Sequence, residues 1–78
     1  MKFPIDAPRR RVIRALELLG FVIIRDHEHT SMVRQNEDGT RTPLTLPGHS
    51  TLKSSTIRTM LHQSKLSRED FLKSYEQA

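Results

Sequence analysis

Four histidines in this sequence can move a proton near neutral pH, and three of them, His27, His29 and His49, fall between positions 27 and 49. His27 and His29 are two residues apart, so on an extended strand they would share a face. With His49 as a third ligand, such a pair could hold zinc. No cysteine supports that use, because the chain contains none. The other use of an imidazole is acid–base chemistry. RNA carries its own nucleophile, the ribose 2′-hydroxyl. A site that removes that proton, stabilises the charge on phosphorus and protonates the departing 5′-oxygen needs neither metal nor cofactor. One histidine with nearby cations supplies most of this, and DNA, lacking the 2′-hydroxyl, would be spared. From residue types alone, surface histidines with no role compete with both readings.

The cations are abundant. Thirteen Lys and Arg against nine Asp and Glu give a net charge of +4 in 78 residues. Nine of the thirteen are Arg, whose guanidinium fork pairs bidentately with phosphate. This balance favours a polyanionic partner. Hydrophobic residues make up only 35% of the chain, which implies a thin core with little room for a deep cavity or a large cofactor. The absence of cysteine removes disulfides and thiol catalysis. No apolar run has the length of a membrane span and no signal-peptide pattern opens the chain, so the expectation is a soluble cytoplasmic protein.

These side chains need a scaffold, and its elements can be read from spacing. Asp6, Ala7 and Pro8 resemble a helix start, with Asp6 as the cap. Val12, Ile13, Leu16 and Leu19 follow at helical spacing, and Gly20 is a natural stop. Arg9, Arg10, Arg11 and Arg14 crowd the first half of this helix, as a solvated face or a phosphate-contacting edge. Phe21 to Ile24 is β-branched and apolar on both faces, which predicts an interior strand. A second strand is expected from His29 to Arg34, a turn at Asn36–Gly39, and a third strand from Arg41 to Leu46. Pro43 confines that third strand to a sheet edge. Pro47–Ser50 breaks it. Ser54 or Ser55 should cap a helix carrying Ile57, Met60 and Leu61, and Ser67 should start a short last helix with Phe71, Leu72 and Tyr75 on its apolar side. The expected class is α+β, in a single domain over residues 1–78, with helices on one face of a small antiparallel sheet and the other face open. Phe21, Met32 and Leu44 are expected in the core.

Several segments, in order, carry a family resemblance. They are Gly20-Phe21-Val-Ile-Ile-Arg25, His29-Thr-Ser-Met-Val-Arg34, Asp38-Gly39-Thr40, Thr42-Pro-Leu-Thr-Leu-Pro47, His49, and Lys53-Ser-Ser-Thr-Ile-Arg58. Together, from about residue 9 to residue 76, they resemble the HicA-type mRNA interferase toxins of type II toxin–antitoxin systems, in a branch with a G-N-H-I-S-M type strand. The resemblance implies a double-stranded-RNA-binding-domain-like fold of helix, three strands and helix, here with a short C-terminal helix added. It implies a metal-independent endoribonuclease that cleaves mRNA and is inhibited by a cognate HicB-type antitoxin. The family's essential histidine falls on His29, since Ser31, Met32, Val33 and Arg34 then align without a gap. A less regular second histidine falls on His49. The Gly-Asn or Gly-Ser that precedes the family histidine is replaced here by His27-Glu28, which loses a permissive backbone position and adds a carboxylate beside the expected phosphate site. Around His29, the expected phosphate ligands are Arg25, Arg34, Arg41, Lys53 and Arg58. Two other functions compete: a non-catalytic RNA-binding module on the same fold, and a DNA-binding regulator using the Arg-rich first helix.

Overall fold

The computed structural model describes residues 3–78. Its elements in chain order are β1 (Asp6–Pro8), α1 (Arg9–Leu18), β2 (Val22–Asp26), β3 (Thr30–Gln35), β4 (Arg41–Leu46), β5 (Thr51–Lys53), α2 (Ser54–Ser64) and α3 (Arg68–Gln77). Strands β2, β3 and β4 form an antiparallel sheet in that spatial order, and β1 pairs with β5 in a separate two-stranded ribbon. The architecture is α+β, as expected, and matches the double-stranded-RNA-binding-domain-like arrangement. No described helix is long and apolar enough to cross a membrane.

Alternation decides which face of the sheet is covered. Thr30 and Met32 of β3 and Leu44 and Leu46 of β4 point inwards and are buried. Their cross-strand pairs, Thr30 with Leu46 and Met32 with Leu44, fix the register. Met32, Leu44 and Leu46 join one apolar cluster with Val12 and Leu16 of α1, Phe21, Ile57 and Met60 of α2, and Phe71 of α3. Outward residues such as Arg25, Gln35, Arg41, Pro43 and Thr45 stay exposed, so the far face of the sheet is open.

Helix α1 ends as the sequence requires. Gly20 takes φ +99°, its N–H donates to Glu17, and the N–H of Phe21 reaches back to the carbonyl of Leu16. This paired closure satisfies carbonyls that the helix end would otherwise orphan, and it drops Phe21 into the core. Gly39 is likewise left-handed, with φ +88°, at the turn between β3 and β4. There the hydroxyl and amide of Thr40 both donate to Asp38 and hold its carboxyl below the usual value. Ser67 caps α3 by accepting from the amide of Asp70.

Four expectations are corrected. Asp6–Pro8 is a strand rather than a cap: α1 follows Pro8 directly and has no side-chain cap. The pull comes from β5, whose Leu52 pairs with Ala7 and is buried beside it. Strand β2 is an edge strand rather than an interior one, and Val22, Ile23 and Ile24 are 59%, 41% and 66% exposed. The second strand of the sheet begins at Thr30, leaving His29 in the hairpin loop. Helix α2 starts after Lys53 with no serine cap, because β5 runs straight into it. The third strand, Pro43 at an edge and the buried Phe21, Met32 and Leu44 stand as expected.

Gly20→Ala forces an L side chain into the left-handed region, with its Cβ 3.4 Å from Cδ of Arg34. It should cost about 1–2 kcal/mol, read as a lower midpoint in urea denaturation.

Candidate active site

The hairpin between β2 and β3 is three residues long: His27, Glu28 and His29. The amide of His27 donates to the carbonyl of His29 across it. All three side chains are exposed. The base of the loop is held by a short chain of polar contacts. Thr30, fully buried, donates its hydroxyl to Oδ1 of Asp26 at 2.8 Å. Arg9, at the start of α1, donates to the same oxygen at 2.9 Å. Asp26 thus joins the hairpin to the N-terminus of α1. The charged pair lies partly in solvent, with Arg9 19% and Asp26 52% exposed, so its net strength is modest. Its value here is positional.

A second contact fixes the loop from the other side. The register that pairs Thr30 with Leu46, carried two residues further, sets Glu28 opposite Gly48. A Cβ at Gly48 would lie closer to the carbonyl oxygen of Glu28 than real atoms approach. The Pro47–Ser50 loop therefore lies directly on the histidine hairpin, and glycine is needed for that closeness. Ser50 in turn accepts from the amide of Arg9 at 2.9 Å. Pro8, Arg9, Arg10, Gly48 and Ser50 line one open groove. An adjoining groove, sharing Ser50, is lined by Asp6, His49, Lys53 and Thr56 among others.

The ribbon of β1 and β5 explains why these pieces meet. It places Pro8 beside Thr51 and Asp6 beside Lys53, so α1 and α2 both begin at this end of the molecule. Two helix N-termini there present partial positive charge, to which Arg9, Arg10 and Lys53 add full charges.

The residues expected around His29 are divided by this geometry. Arg25 pairs with Ser31, one step from the hairpin. His49 and Lys53 share a groove at the same end. Arg34 and Arg41 lie at the opposite end of the sheet, about 17 Å along β3 from His29 at the rise of an extended strand. Arg34 is occupied there: its guanidinium lies over the Phe21 ring at 5.1 Å, and Nε donates to Asn36. Arg58 projects from α2 towards the Phe3 ring, 5.5 Å from its centroid. His29 lines neither groove; it stands exposed on the loop against which Gly48 rests. Among the described residues, no three His, Asp or Glu side chains are placed to hold a metal ion.

Residue type alone does not reveal the roles of Asp26, Thr30 and Gly48, nor the tie of Arg9 to Asp26. Arg9 and Asp26 are 17 positions apart and nothing local links them. Gly48 looked like a strand breaker.

Gly48→Ala must push the two loops apart and should cost about 1–3 kcal/mol in chemical denaturation, with changed amide chemical shifts at Glu28 and His29. Thr30→Val removes one buried hydrogen bond at nearly constant shape and should cost about 0.5–1.5 kcal/mol, measured the same way.

Comparison with known families agrees with the geometry. The family model described as the HicA toxin of bacterial toxin–antitoxin systems matches residues 9–66, from the first residue of α1 to just past α2. No curated protein matches the chain. With most of its length accounted for by that one match, the chain belongs to the HicA toxin family, and its family implies an antitoxin as partner.

Proposed function

We propose that this protein is an endoribonuclease toxin that cleaves mRNA in the cytoplasm without a metal, using His29 as the acid–base group, and that a HicB-type antitoxin inhibits it. One observation carries the reading. His29 is solvent-exposed on a three-residue loop that is pinned on one side by Asp26, Thr30 and Arg9 and on the other by Gly48, at the end of the molecule where two helices begin.

A flat open site suits RNA because the substrate brings its own nucleophile. In the proposed step the imidazole of His29 takes the proton of the 2′-hydroxyl, and the 2′-oxygen bonds to the adjacent phosphorus. The bond from phosphorus to the 5′-oxygen breaks, and that oxygen leaves with a proton. The products are a 2′,3′-cyclic phosphate and a 5′-hydroxyl, so atoms and charge balance without a cofactor. Negative charge gathers on the non-bridging oxygens in the transition state. Arg10, Arg25 and Lys53, at the hairpin's end of the molecule, are the cations assigned in this proposal to that charge or to the neighbouring phosphates, while Arg9 is tied to Asp26. His49, exposed on the loop that abuts the hairpin, is the candidate for the second proton transfer. Arg34, Arg41 and Arg58 would contact only RNA that extends beyond the cut site.

His29→Ala should bind labelled RNA like the wild type but cut it ~10²–10⁴-fold more slowly, the range typical for loss of one acid–base group. The measurement is a gel time course in EDTA, with analysis of product ends for the cyclic phosphate. Wild-type protein that leaves RNA intact in both EDTA and magnesium would rule the reading out.

A further inference from the structure

Strand β2 has the composition of an interior strand and the position of an edge strand. Val22, Ile23 and Ile24 are consecutive, β-branched and exposed, and they are three of the five large hydrophobic residues left in solvent among the described residues. Among the described residues only β3 pairs with β2, so the backbone groups on its other side have no strand partner there. A run that is apolar on both faces is typical of a strand covered on both faces. Here the side chains are exposed, and one edge has no neighbouring strand among the described residues.

We propose that the missing neighbour is a strand of the antitoxin, added along the free edge of β2 and carrying acidic as well as apolar side chains. This rests on the family membership, which implies that partner, and it goes beyond the proposed cleavage by naming where the partner sits. Charge selects the occupant. The chain carries +4, Arg25 lies on the edge strand itself, and the carboxylate of Asp26 is already matched by Arg9. A second copy of the same chain would bring like charge against like. The register shift at Ile24 also bends the ladder, a feature that discourages an edge from pairing with its own copy. An acidic strand meets neither obstacle: main-chain hydrogen bonds would hold it, and Val22 and Ile24 would give it apolar contact.

The position of β2 also gives such a partner a way to inhibit. The strand runs from Val22 to Asp26 and ends at the His27–His29 loop. A segment laid along its length, about 17 Å, arrives at His29. The chain continuing from that segment then lies over the hairpin, so docking and occlusion become one event.

The test is amide hydrogen exchange of the full chain, free and bound to its co-expressed antitoxin. Amides of Val22–Asp26 should exchange at least ~10-fold more slowly in the complex. The double variant Val22→Glu, Ile24→Glu should weaken antitoxin binding ~10-fold or more while cutting RNA at the wild-type rate. Leu18→Glu, equally exposed but on α1, should leave the affinity unchanged. Unchanged β2 exchange in the complex, or a double variant that binds the antitoxin like the wild type, overturns the proposal. Protection of β2 that grows with concentration in the free chain also overturns it, by showing a second copy as occupant. A wild-type chain without nuclease activity would sink the proposed function alone, since exchange at β2 still decides where the antitoxin docks.

Discussion

One layer of apolar contact holds this molecule together. Met32, Leu44 and Leu46 on the inner face of the sheet meet Val12, Leu16, Ile57 and Phe71 from the helices in a single cluster. A chain of this length supplies only a few kcal/mol of net stability from such a core. The cluster therefore has little capacity to bury anything else, and the polar groups it does enclose serve the framework. Ser74, buried between helices, donates to the carbonyl of Ala15 and ties α3 to α1. Thr30, buried at the end of β3, turns its hydroxyl towards Asp26 and so carries the order of the core out to the hairpin.

That transfer of order is what a surface site needs. Loops that carry chemistry work when a rigid scaffold sets their position, and side chains on such loops must hold their geometry closely. Here the scaffold acts through two short-range contacts. Asp26 receives both Thr30 and Arg9, and Gly48 allows two backbones to meet. Neither contact is strong in isolation. Each removes freedom from a loop of only three residues.

Much of the fold was legible in the sequence because its signals are local. Gly20, Gly39 and Ser67 act within a few residues of themselves, and each does in the structure what its type predicts. Pro43 confined its strand to an edge by lacking an N–H, which is again local chemistry. The failures share the opposite property. Asp6–Pro8 has the residues of a helix start, but pairing with Thr51–Lys53 overrode them. Strand β2 has the residues of an interior strand, and composition cannot say whether a neighbour exists within the same chain. His29 was legible as a candidate through its place in a family pattern. Its surroundings were less so, since Arg34 and Arg41 are near it in type and order but far from it in space.

The β1–β5 ribbon has a consequence for the timing of synthesis. Strand β1 leaves the ribosome well before its partner, Thr51–Lys53, which lies more than 40 residues further along the sequence. Until then nothing fixes the Arg9 end of α1 to the Gly48–Ser50 loop, and long-range pairings of this kind form late. A nascent chain that has not yet reached Lys53 thus lacks its assembled histidine end while it is being translated from the kind of molecule that end is proposed to cut.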